Sequence, residues 1–470
     1  MFDSYLVFYI TYLLKREIDY GAQNVLIVFC CALLCFYIVQ SFVKFIIELK
    51  KLPPGPYGLP LFGILSSIGD KHQDFLKLAK KHGPLFSCKL GLQLYVVISD
   101  YKLIREFMKK ESVTDRPKTP IYAVLNGAGK NLIFTEVDSL ICSLQDEKDK
   151  NINLDQHFAL STSNVICNLL MSVRFSRDDP KFAKFNYMIE EGMQLFGQLY
   201  TVDYIPITQY LPTMRSAKDK IKVNRREMFE FYKEIIDNHR KTFDRNNIRD
   251  LLDTYLLEIE NAKLNNTEHL LFEGRDPDTQ IMQIMGDLFS AGMETIKTTL
   301  LWLMVFMIRH PEVKRQVQDE IDIVCGRDRW PTIDDHAQLV YTEATILEVM
   351  RISTAVPLST THSPIIDEHL NGSKIPAGSH IVPLIGYVHM DENLWEKPTE
   401  FNPARFIDAQ GNIEKPEFFM PFGVGRRMCL GNTLARMELF LFFSTLMHQF
   451  DVTLPPGAEL PSLKGNPGGS

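Results

Sequence analysis

Between Val25 and Val43 the chain has only two polar residues, Gln40 and Ser41. Such a run approaches the ~20 apolar residues that cross a bilayer, and it sets the amino terminus apart from any globular core. Lys44, Lys50 and Lys51 follow it, whereas Asp3, Glu17 and Asp19 precede it, with Lys15 and Arg16 as the local exception. The basic excess after the run places the rest of the chain on the cytoplasmic side. A core helix is rarely apolar all round, and no small-residue cleavage pattern marks a signal peptide. Residues 1–49 therefore read as a membrane anchor. Pro53, Pro54 and Pro56 come next, in "KLPPGPYGLPLFG", and they restrict their own φ and the residues before them. No helix crosses 50–60, which is either a stiff hinge or a plain surface linker. Residues 61–470 must build the working body.

That body is long enough to bury a large core. Hydrophobic residues make up 45% of the 470 and charged residues 23%, ordinary proportions for a globular protein. A formal net charge of −7 speaks against a nucleic-acid binder, which would carry a basic stripe. Of the eight cysteines, Cys30, Cys31 and Cys35 lie in the apolar run and the others are scattered. With no CxxC pair and no Cys/His cluster, neither a disulfide framework nor a structural zinc site is expected. The thiols read as reduced and cytosolic. "LFSCKLG" and "LYVVIS" alternate as a strand hairpin would, and Asp100 is placed to cap a helix running from Tyr101 towards Lys110. From about Leu160 to Met350 the periodicity is mostly helical, and strand-like pieces return around "KIPAGSHIVPLIG". The fold class is mainly α with a small β portion.

One ten-residue stretch, "FGVGRRMCLG" (422–431), sets a lone thiol among glycines and arginines. A structural cysteine would sit among apolar neighbours. Leu434, Met437, Leu441 and Phe442 follow at helical spacing, so Cys429 should stand at a helix amino terminus. There the dipole and unpaired N–H groups favour an anion and lower a thiol pKa. Gly425 and Gly431 let the backbone approach the sulfur, and Arg427 is able to meet a carboxylate. The thiolate is then either a nucleophile or a metal ligand.

Phe-x-x-Gly-x-Arg-x-Cys-x-Gly resembles the haem-thiolate signature of the cytochromes P450, and five specified types in one frame recur by chance roughly once per million positions. The resemblance implies the cytochrome P450 fold behind an amino-terminal transmembrane helix. It makes Cys429 the axial ligand of haem b iron, pushing electron density that favours O–O cleavage, with Phe422, Gly425, Arg427 and Gly431 shaping the cofactor site. "SAGMETIK" resembles the family's oxygen-activation motif. It implies that Ala291 and Gly292 leave room above the iron while Glu294 and Thr295 deliver protons. "EVMR" and "FNPARF" supply Glu348, Arg351 and Arg405 for a buried structural network, and His362 in "TTHSP" matches a position that meets a haem propionate. An apolar substrate pocket is expected from Ile284, Leu288, Phe289, Ala291, Val356 and Leu358.

Two departures stand out. Members of this family carry a Trp-x-x-x-Arg helix whose side chains contact haem propionates, yet "VLNGAGKNLIFTEVD" crosses that region directly, and the tryptophans are Trp302, Trp330 and Trp395. About 40 residues are missing near 130–135, enough for a helix of several turns with flanking loops. The chain also stops at "PSLKGNPGGS", where related chains continue into a last hairpin beside the pocket. This is the pattern of a splice variant or an incomplete gene model, and it implies weakened haem retention.

Within the family, "VDYIPITQYLP", "LFSAGMETIKTTLLW", "VPLSTTHSP" and "FGVGRRMCLGNTLARMELFLFF" resemble the arthropod ecdysteroid 26-hydroxylases. That likeness implies hydroxylation, and so inactivation, of a moulting hormone such as 20-hydroxyecdysone at the endoplasmic reticulum membrane, with the catalytic body facing the cytosol. Electrons would come from NADPH through a flavoprotein, NADPH–cytochrome P450 reductase, since no GxGxxG element is present. The rivals are a related microsomal enzyme for another steroid, fatty acid or xenobiotic, and an inactive isoform that binds haem poorly.

Overall fold

The structure, a computed structural model, describes residues 51–56, 58–59, 62–113, 131–147 and 151–465. The expected anchor at 1–49 lies outside the described residues, as does the stretch 114–130 that leads up to the expected shortening near 130–135.

Residues 51–56 are stitched to the first strand of the sheet. The Ser87 amide donates to the Pro54 carbonyl at 3.0 Å and its hydroxyl to the Pro53 carbonyl at 2.6 Å. The Asp70 carboxylate accepts from the Gln73 amide and so caps α1 (Lys71–His82). The alternating runs form β1 (Leu85–Leu90) and β2 (Gln93–Ile98), antiparallel, with Cys88 opposite Tyr95. Asp100 caps α2 (Tyr101–Phe107) through the Leu103 amide, and that helix stops short of Lys110.

The helical body is built from α3 (Asn131–Asp146), α4 (Leu154–Met171), α5 (Pro180–Tyr204), α6 (Pro212–Thr242), α7 (Leu251–Leu264), α8 (Pro277–Arg309), α9 (Pro311–Cys325) and α10 (Val340–Ser353). A second hairpin, β3 (Glu368–Leu370) with β4 (Ser373–Ile375), precedes β5 (His380–Pro383). β5 runs parallel to β2, giving the order β1-β2-β5. Parallel neighbours need a long crossover, and here the whole helical body serves as one. The short α11 (Ile385–Val388) and the long α12 (Asn432–Gln449) complete the order.

α8 is the axis of this body. Asp276 caps it through the Thr279 amide, Pro277 occupies its first turn, and Pro311 ends it by opening α9. Its 33 residues span about 50 Å and are apolar enough to cross a membrane by length and composition. They are nonetheless core: Leu300, Leu303 and Met307 have no exposed surface, and α4, α6, α10 and α12 all pack against the helix. α12 is buried nearly all round, from Leu434 through Phe440, Phe442 and Phe443 to Met447. The cysteine loop that precedes it is therefore fixed to the core at its downstream end.

Candidate active site

The loop from Phe422 to Gly431 is shaped by backbone bonds and one obligatory glycine. The Met428 amide donates to the Gly425 carbonyl at 3.2 Å, and the Cys429 amide to the Phe422 carbonyl at 2.9 Å. Gly425 sits at φ +82°, and a Cβ there would fall 2.3 Å from the Met108 carbonyl oxygen. No side chain fits at that crossing. Gly431 is the N-cap of α12, so Cys429 stands at the head of a helix.

The thiol itself departs from the sequence reading, which had the helix start lower its pKa. Cys429 is exposed as a residue, yet the surrounding loop partly desolvates its sulfur, which pushes the thiol pKa up, and the Gly431 and Asn432 amides pull it down without overcoming that. Neutral N–H donors alone do not offset lost hydration. A metal cation would reverse the balance, because a coordinating thiol is deprotonated outright. The soft sulfur and the two amides aimed at it fit a thiolate-ligated iron centre, while the crossing at Gly425 packs the loop against the Met108 backbone. Arg436, not singled out from the sequence, braces the loop. Its guanidinium lies 4.9 Å over the Phe422 ring and its Nε donates to Asn432 Oδ1 at 2.7 Å.

On α8, Ile284, Ala291, Thr295 and Thr298 share one stripe. All four keep some exposure, and Thr295 is exposed outright between buried Glu294 and Ile296. An exposed residue halfway along a core helix marks a cleft. The Thr295 hydroxyl donates to the Ala291 carbonyl at 2.7 Å. Glu294 does not share that face. Its carboxylate turns to Lys297, 3.1 Å away, on the side of α4 and α5. Gly292 is a correction: it was expected to leave room above iron, but its missing side chain faces Ile166 of α4, where a Cβ would come within 3.1 Å. It serves helix packing.

The expected pocket wall is also redrawn. Leu288 and Phe289 are closed into the core at 2% and 0% exposure, with Phe289 edge-on to Phe185 at 5.1 Å. Leu358 packs on the sheet-side cluster around Phe86 and Val97, and Val356 is exposed. Of the six residues, Ile284 and Ala291 remain on the cleft stripe of α8. His362 is buried and exchanges two backbone bonds with Ile381 of β5, at 3.0 and 2.8 Å. Arg427 lies in the exposed part of the loop.

Glu348, Arg351 and Arg405 come together. The Arg351 guanidinium donates to both Glu348 oxygens at 2.7 and 2.8 Å, and Arg405 Nε donates to Oε1 at 3.0 Å. Arg351 also donates to the His389 and Pro398 carbonyls, so each buried charge is satisfied. Burial lowers the His389 pKa to about 3; the ring is neutral, and its Nε2 accepts from the Met420 amide at 3.1 Å. The network thus reaches the residues that lead into the cysteine loop.

A family model described as Cytochrome P450 matches residues 53–139 and 128–469. Cytochrome P450 18a1 of Drosophila melanogaster is 52% identical over 502 aligned positions, covering 99% of this chain and 93% of the relative. Those positions outnumber the 470 residues of this chain, so some of the relative's residues have no counterpart here. The steroid 17-alpha-hydroxylase/17,20 lyase of Rattus norvegicus is 32% identical, covering 89% of this chain and 90% of its own. Cytochrome P450 2U1 of the same organism is 33% identical, covering 88% and 87%.

Proposed function

The chain belongs to the cytochrome P450 family, a family of monooxygenases, and from that premise we propose that it hydroxylates a steroid with haem held through Cys429. The observation that carries this reading is the loop at the head of α12, where Gly425 admits no side chain and two amides face the sulfur. Thiolate-ligated haem iron would supply the oxygen activation needed to oxidise an unactivated C–H bond. Cys429 holds the iron; His362 and Arg427 meet the propionates, which need charge-assisted partners in a dry pocket. Thr295 holds a proton at its hydroxyl on the cleft, with Glu294 behind it. Glu348, Arg351 and Arg405 position the backbone and touch no substrate.

Ecdysteroids are the proposed substrates, with oxidation at the terminal side-chain carbon. The support is the likeness of "VDYIPITQYLP" and "VPLSTTHSP" to that branch of the family, together with a steroid hydroxylase among the similar proteins. Electrons come from NADPH through a flavoprotein reductase. Residues 1–49 anchor the protein in the endoplasmic reticulum membrane with the body in the cytosol. Incubation with reductase, NADPH and 20-hydroxyecdysone should yield the 26-hydroxy product. Turnover of fatty acids with none of the ecdysteroid would assign the protein to another microsomal substrate class.

A second reading, an isoform with weak haem binding, is favoured by one observation. The two family matches meet at 128–139, where the Trp-x-x-x-Arg helix was expected, and the alignment with the Drosophila protein is longer than this chain. Without that helix two propionate partners are lost. Haem content of the 470-residue chain, beside a version with the segment restored, tests this directly.

A further inference from the structure

Lys297 is the one lysine on α8, and only 3% of it is exposed. A buried ammonium is costly unless it is paired. Its Nζ lies 3.1 Å from Glu294 Oε2, 3.3 Å from Asp155 Oδ1 on the first turn of α4, and 4.0 Å from Glu190 Oε1 on α5. The two outer carboxylates are each 43% exposed and Glu294 is 9% exposed. Burial pulls the Lys297 pKa down, but the Glu294 and Asp155 carboxylates outweigh it and the pKa rises. At its other oxygen, Glu294 faces the Thr298 hydroxyl at 3.5 Å, and Thr298 shares the cleft stripe with Thr295. The Thr295 hydroxyl itself is bonded back to Ala291.

We propose that Lys297 is a positioning residue for proton supply: shared by Asp155, Glu190 and Glu294, it fixes the Glu294 carboxylate as the inner end of a polar path from solvent to Thr298 on the cleft. Water contacts Asp155 and Glu190 at the outer end. Lys297 holds Glu294 oriented, so that a proton taken up at its carboxylate oxygen can be passed to the Thr298 hydroxyl as that hydroxyl releases its own proton into the cleft. The charge on Lys297 is unchanged throughout. This role rests on the monooxygenase reading of the cleft, whereas the coupling of Lys297 to Glu294 does not.

The full-length chain and its Lys297→Met, Lys297→Arg and Lys297→Met/Glu294→Gln variants test it by two readouts. In the infrared, which is independent of haem content, burial of Glu438 raises its carboxyl pKa well above the usual range and gives every variant a background protonated-carboxyl signal, so the readout is the difference from wild type at neutral pH. Lys297→Met should add a carboxyl band that is missing from the Lys297→Arg and double-variant difference spectra. In protein showing the thiolate-type carbon-monoxide band, Lys297→Met should lower product formed per NADPH by about tenfold with the substrate KM unchanged, while Lys297→Arg restores it. Absence of the new carboxyl band overturns the proposal, and so does unchanged coupling in a haem-loaded Lys297→Met protein. If the wild-type chain never shows the thiolate band, it is the monooxygenase reading that fails, and the infrared result alone decides the role of Lys297.

Discussion

Gly425 carries the sharpest steric demand in the loop. A methyl group placed there meets the Met108 carbonyl at 2.3 Å in a backbone conformation that L side chains avoid. Gly425→Ala should therefore displace the loop and abolish the thiolate-type carbon-monoxide band while leaving the far-ultraviolet circular dichroism unchanged; a band of wild-type size would mean that the crossing at Met108 yields easily. Glu348 makes a comparable demand in charge. It serves two arginines and the Asn402 amide from complete burial, so Glu348→Ala strands Arg351. Denaturant unfolding should show a loss of about 3–5 kcal/mol, and a loss below about 1 kcal/mol would mean that water replaces the carboxylate. Chemistry at this scale was legible where it was local: the cysteine, its glycines and the helix behind it are consecutive in the chain. The direction of the thiol pKa was not legible, because how far the sulfur is desolvated depends on residues brought in from elsewhere.

Elements meet through side chains far apart in sequence, and His239 shows how. Its Nε2 lies 2.8 Å from Asp250, the N-cap of α7, and its Nδ1 lies 3.0 Å from the Ile235 carbonyl of its own helix α6. Ser172, the C-cap of α4, donates to the same carboxylate at 2.6 Å. Burial alone would lower the His239 pKa, but the Asp250 carboxylate outweighs it and raises it, with Arg249 opposing. Its stabilising contribution is therefore fully present below the ordinary histidine pKa of about 6.5 and fades as pH rises through the higher folded value. The stability lost in His239→Gln, measured in urea, should be largest near pH 6 and shrink by pH 9, whereas a pH-independent loss would show that the ring is neutral. The strand hairpin and the Asp100 cap were readable from alternation and capping, and the helical character of the stretch that holds α8 from its periodicity. Which way Glu294, Gly292 and Phe289 turn was not. Adjacent helix positions differ by about 100°, and only the packing of α4, α5 and α12 decides which stripe borders the cleft.

For the molecule as a whole, the proposed anchor and the body should be separable. The described body nevertheless keeps apolar residues on its surface: Leu59 and Phe62 near the sheet, and Ile207, Tyr210 and Leu211 in the turn after α5. Ile205 joins that turn to the sheet-side cluster. Removing residues 1–49 should thus release only part of the protein from membranes, and a second release is expected when Ile207 and Leu211 become serine. Complete release by the deletion alone would show that the apolar turn has no affinity for lipid. The sequence also carried the family, through motifs that stand in unbroken runs. The consequence of the shorter stretch near 130 belongs to the assembled protein, since it depends on how the propionates are met. The most direct measurement is the carbon-monoxide difference spectrum of this 470-residue chain after haem reconstitution, per mole of protein, beside Cys429→His and the segment-restored version. A small thiolate-type band is expected from the 470-residue chain, on the order of tenfold larger with the segment restored, and none from Cys429→His. A thiolate-type band that survives in Cys429→His would contradict the assignment of Cys429 as the ligand that holds the haem.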